Sequence, residues 1–174
     1  MAGMAGWMLD EVASAGRENL DPFHVARYDA KEDAGAAGEL ALLSGWGLGP
    51  GAVVVDIGAY ALHHMPDFWK GVALARIRRM LRPGGVLRLR DVVYGFDPAD
   101  ATDRIEAWCA TGGAEAHVDG DWTRAELEEH VRDEHSTFTW LLEPLIRCCG
   151  FTIEGAEHSE DGIIAAYVLR AGGP

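Results

Sequence analysis

Apolar positions along the chain change period several times, and each change marks an element. Trp7, Met8 and Val12, then Phe23, Val25 and Ala26, recur at helical spacing, interrupted near Gly16 and Asp21-Pro22. Ala36, Ala37, Leu40 and Leu43 predict a third helix over 33–44, stopped by the glycine-rich run 45–51. Consecutive β-branched residues follow in 52–58 without alternation, the pattern of a strand buried on both faces. Pro66 opens a helix through Leu81, with Phe68, Val72, Ala73, Ile77 and Met80 on one stripe. Arg76, Arg78, Arg79 and Arg82 lie largely off that stripe, near the helix end that favours positive charge. Pro83-Gly84-Gly85 ends the helix, and a second buried strand runs over 85–93. Asp97-Pro98 pairs an N-cap with proline at the first helical position and predicts a helix to about Cys109. After a glycine-rich loop, Thr123-x-x-Glu126 is a capping box opening another helix. A further helix holds Phe138, Trp140, Leu142 and Ile146, kinked by Pro144 and closed by Gly150. Phe151 to Ala156 and Ile163 to Arg170 read as two strands around the turn 159–162.

This order predicts an α/β fold of about four strands with helices on both faces. The 174 residues suit a single domain, with a helical N-terminal region 1–50 and an α/β core 51–174. Hydrophobic residues make up 48% and charged residues 25%, a balance that argues against disorder. The net charge of −13 repels phosphate backbones, so nucleic acid is not an expected partner. Charge is unevenly spread: 70–90 carries seven basic residues and no acid, whereas 97–134 carries twelve acids and three arginines. Both runs read as solvated helix faces, with mutual attraction of the two segments as the alternative. No apolar run approaches the roughly 20 residues of a membrane span. Residues 1–12 lack the basic start and apolar core of a signal peptide, and Cys109, Cys148 and Cys149 form no C-x-x-C pair. The expected setting is a reducing cytoplasm.

Four stretches resemble class I S-adenosylmethionine (SAM)-dependent methyltransferases. Val53-Val54-Val55-Asp56-Ile57-Gly58-Ala59 resembles the start of that family's first signature motif. Ala61-Leu62-His63-His64-Met65-Pro66-Asp67 resembles the stretch after its fourth strand, and Leu81-Arg82-Pro83-Gly84-Gly85-Val86-Leu87 its turn into strand five. Asp91 to Asp97 looks like the acceptor-side segment that follows. The resemblance implies a Rossmann-like methyltransferase fold, but a truncated one. Gly58-Ala59 is followed at once by Tyr60 to His64, so the rest of the glycine loop, the acidic second strand and the third strand have no residues to encode them. Residues 52–61 can be read as the family's first strand or as its fourth. The fourth position is favoured, because the crossover through the 66–81 helix to the 86–93 strand is then intact.

The donor side is therefore reduced to Asp56 and Gly58, a fragment of a cofactor cradle or a relic strand end. No acid follows at the spacing of about 20 residues that a ribose requires. On the acceptor side, His64, Asp91 and Tyr94 are the candidate catalytic groups, and His63 and Trp108 the candidate substrate contacts. Asp91 and Tyr94 lie at the C-terminal end of a strand, where open α/β sheets place ligands. Asp97 lies there too but is accounted for as a helix cap. Asp91 has Arg88 or Arg90 as alternative partners. His63 and His64 are adjacent, so on an extended segment they face opposite sides. Trp108, Trp122 and Trp140 with Phe138 can line an apolar pocket, although helical spacing assigns Trp140 to the core. In Glu129-His130-x-x-x-Glu134-His135, only His130 and Glu134 share a helix face, and two groups do not make a metal site. No metal is expected.

The functional expectation is a methyltransferase-like protein that has lost normal SAM binding. It would act as a binding or interaction protein, or as a cofactor-independent enzyme on the inherited acceptor pocket. The alternative is an active SAM-dependent methyltransferase of a small molecule whose donor site a partner chain completes. Loss of the outer strands would leave 52–58 as an apolar edge with no lysine or proline to guard it, which predicts a homodimer.

Overall fold

The computed structural model describes Pro22 and residues 36–50, 60–113 and 122–173. The chain divides into two compact units, Met1–Pro50 and Gly51–Pro174. In the first, residues 36–45 are helical (α1). Gly47 adopts a φ of 107°, which lets the Leu48 amide reach the Leu43 carbonyl at 2.9 Å and close the helix. The expectations for 7–26 apart from Pro22, for 52–58 and for 114–121 fall outside the described residues.

The second unit is a mixed α/β fold built on a four-stranded mixed sheet of order β2-β1-β4-β3. A 3₁₀ turn, Leu62–His64, leads through Pro66 into α2, Asp67–Met80. Next come β1 (Val86–Tyr94), a 3₁₀ turn (Pro98–Asp100) and α3 (Ala101–Cys109). They are followed by α4 (Arg124–Asp133), β2 (Thr137–Phe138) and α5 (Thr139–Cys148). The hairpin of β3 (Phe151–His158) and β4 (Ile164–Ala171) completes the chain. β1 runs parallel to β2 and antiparallel to β4, and β4 is antiparallel to β3.

Local chemistry sets most boundaries. The Asp97 carboxylate accepts from the Ala99 amide at 2.8 Å, with Pro98 at the first helical position. Thr123 and Glu126 form the reciprocal capping box that starts α4. Gly150, at a φ of 89°, ends α5. Phe138 departs from the helix expected of it: it is extended, pairs with β1 in β2, and serves as the N-cap residue of α5. Its pairing partner lies more than forty residues away, so no local pattern announces this strand.

Alternate positions along the strands feed two apolar clusters, one on each sheet face. Val93, Ala165, Tyr167 and Leu169 pack with Leu74 of α2 and Leu142 and Ile146 of α5. Val92, Tyr94, Phe96 and Ile163 pack with Ala101, Ile105 and Trp108 on the α3 side. Helices thus cover both faces. Trp140 departs from its core expectation: it is 55% exposed and stacks on Phe138. Among the described residues, no helix is long and apolar enough to cross a membrane.

Candidate functional site

A polar cluster gathers at the C-terminal half of β1. The 3₁₀ turn that carries its histidines is held at both ends. Before it, the Tyr60 amide donates to the Arg90 carbonyl at 2.9 Å. After it, Pro66 drives Met65 into extended backbone and ends the turn. Leu62 anchors the turn in the core. A 3₁₀ turn rotates successive side chains by about 120° rather than the 180° of a strand. His63 and His64 therefore do not face opposite sides, as an extended segment would have them; their ring centroids are 4.2 Å apart.

Each histidine has its own carboxylate. His63 Nδ1 lies 2.5 Å from Asp91 Oδ1, and the His63 amide donates to Asp91 Oδ2 at 3.1 Å. Asp91 also accepts from the Val92 amide at 2.8 Å, and it is 1% exposed. Asp91 thus pairs with His63 and with neither Arg88 nor Arg90. His64 Nδ1 lies 2.8 Å from Glu134 Oε2, a contact that closes a separation of 70 residues. Burial acts to raise the Glu134 carboxyl. The His64 hydrogen bond and the charges of His64, His63 and His130 outweigh it and hold the group below its ordinary value.

Helix α4 brings the remaining groups. His130 sits with its ring centroid 4.9 Å from that of His63 and 5.4 Å from that of Trp108, which meets it edge-on. Burial, helped by the neighbouring charge of His63, lowers the His130 pKa to about 4, so the ring is neutral near pH 7. His130 Nε2 lies 2.9 Å from Ser136 Oγ. Burial raises the Tyr94 hydroxyl, against a hydrogen bond with the same Ser136. The segments are tied together by backbone: the His135 amide donates to the His63 carbonyl at 2.6 Å. Lys70, 2% exposed, donates from α2 to the His135 carbonyl and, at 2.8 Å, to Asp67.

The structure thus brings together His63, His64 and Asp91, with Trp108 joined through His130 and Tyr94 through Ser136. Asp56 and Gly58 lie outside the described residues. His130, Glu134 and Ser136 join the site although the sequence alone does not assign them to it. The signal was the one-turn spacing of His130 and Glu134, set aside because two groups do not make a site. The missing member, His64, arrives from 70 residues away. Two carboxylate-oriented imidazoles side by side form a group able to accept and pass protons or to ligate a ligand atom.

Comparison with known families finds no matching family model, and comparison with curated proteins finds no match. The solved structure of a possible exported protein from Bordetella parapertussis is similar, with 16% sequence identity and a TM-score of 0.40. The match covers 62% of this chain and spans about a third (34%) of that one. A likeness of that size carries no argument about fold or function.

Proposed function

We propose that the chain is a methyltransferase-derived protein that has kept the acceptor side of its site and given up the donor side. It binds a small polar molecule at the C-terminal end of β1, with His63 and His64 as the proton-accepting groups and Trp108 at the border. SAM is not a ligand at normal affinity. The observation that carries this reading is the pair of buried and half-buried histidine–carboxylate contacts, Asp91–His63 and Glu134–His64. Supporting it are the order helix, Pro-Gly-Gly, strand and terminal hairpin, and a site at the strand end where open α/β sheets hold ligands. The truncated methyltransferase fold is part of the same proposal.

Two titrations test it. In calorimetry with SAM, no binding is expected in the micromolar range, and a micromolar Kd overturns the loss of the donor site. In histidine-ring NMR against a library of small polar compounds, binders should shift His63, His64 and His130 together. Binders that shift only other residues overturn the location.

A further inference from the structure

We propose that His63, His64 and Glu134 ligate a divalent first-row transition ion. The inference rests on the preceding reading for the place of the site, but not for the ion. One donor atom from each of the three residues lies within 4.8 Å of the others. Two imidazoles and one carboxylate, without thiolate, suit Zn²⁺, Fe²⁺ or Co²⁺. They do not suit Mg²⁺ or Ca²⁺, which prefer all-oxygen shells.

Independent evidence comes from Asp91. A metal-bound histidine typically donates its other ring N–H to a carboxylate, which fixes the ring and its tautomer. Asp91 occupies that position on His63 Nδ1, buried and also accepting from two backbone amides. Nε2 is then the nitrogen His63 presents to a ligand. His64 Nδ1 and Glu134 Oε2 already stand 2.8 Å apart. Donors about 2.1 Å from a tetrahedral ion lie roughly 3.4 Å apart, so an ion fits between these two with sub-ångström movement, and the third donor closes by up to about 1.4 Å. On binding, the ion takes the place of the proton between His64 and Glu134, and that proton leaves to water. No electron moves.

The ligand-bearing segments are already fixed to each other. The His135-to-His63 backbone bond and Lys70 hold the turn and the end of α4 in register. Three protein ligands leave a coordination position for water or for the small molecule. The chain's net charge of −13 favours the approach of a cation.

The test uses the tag-free full chain, stripped with chelator and titrated calorimetrically with Zn²⁺, then with Mg²⁺. One Zn²⁺ per chain at micromolar Kd or tighter is expected, with Mg²⁺ at least about 100-fold weaker. D91N should weaken Zn²⁺ by about 10–100-fold, and E134Q and H64A by more. Absence of stoichiometric Zn²⁺ binding overturns the proposal. So does binding left unchanged by E134Q and H64A when circular dichroism shows them folded. Should those variants unfold, Co²⁺ bound to the unmodified chain decides. Visible d–d bands without a thiolate charge-transfer band support the site, and a thiolate band puts the ion on Cys148 or Cys149 and overturns it. SAM titration of the same sample separates the two readings. SAM binding with Zn²⁺ binding intact removes only the donor-loss reading, and failure of Zn²⁺ alone removes only the metal.

Discussion

Asp91 is the residue on which the site depends most, and Asp91→Ala is the perturbation that shows it. The carboxylate accepts three hydrogen bonds, from the His63 ring at 2.5 Å, the His63 amide at 3.1 Å and the Val92 amide at 2.8 Å. Removing it leaves three buried donors without an acceptor. Each such donor costs about 1–3 kcal/mol when nothing replaces its partner. Entry of a water and partial collapse reduce the sum, so the expected loss is about 3–5 kcal/mol, the range found on breaking a buried pair. A domain stable by about 5–15 kcal/mol is left marginal by that loss. Asp91→Asn keeps the shape and one acceptor oxygen and should lose about 1–3 kcal/mol. The assay is urea unfolding followed by circular dichroism and tryptophan fluorescence, extrapolated linearly to water. A cycle with His63→Ala should give a coupling of about 1–3 kcal/mol. An Asp91→Ala loss below about 1 kcal/mol, or additive single effects in the cycle, would refute the reasoning.

Three more expectations follow from other parts of the molecule. A Cβ on Gly112 would stand 2.4 Å from the Arg124 backbone nitrogen, so Gly112→Ala should cost about 1–3 kcal/mol in thermal unfolding by pushing the start of α4 outward; an unchanged Tm contradicts this. The Tyr167 hydroxyl is buried without a hydrogen-bond partner among the described residues, so Tyr167→Phe should be neutral or stabilising by up to about 1 kcal/mol in urea; a clear loss of stability would show a partner. The sequence 52–58, apolar but for Asp56 and read as an unguarded strand edge, predicts a homodimer in light scattering that Val54→Lys weakens; a monomer at micromolar concentration removes the claim.

What the sequence made legible is what short-range chemistry determines. The Thr123–Glu126 box, the Asp97-Pro98 cap, the Pro66 helix entry and the terminal hairpin each depend on residues within a few positions of one another. Asp91 was legible as a site candidate because open α/β sheets hold ligands at strand ends, and the histidine pair because its stretch resembles the one beside a methyltransferase acceptor site. Three things were hidden. The joint presentation of His63 and His64 depends on a 3₁₀ turn forced between Leu62 and Pro66 rather than on an extended segment. Glu134 becomes a partner of His64 only through tertiary packing. Trp140 has the spacing of a core residue, yet Phe138 leaves the helix for β2 and Trp140 stays at the surface against it.

The claim that the site is built on two carboxylate-oriented imidazoles is open to direct measurement in the ring nitrogens themselves. Long-range proton–nitrogen spectra of the chain labelled at histidine should place a proton on Nδ1 of both His63 and His64 in the absence of metal. The His63 signal should shift in Asp91→Asn and the His64 signal in Glu134→Gln, each without disturbing the other. Finding both rings in the Nε2-protonated form, with signals that neither substitution moves, would contradict the account.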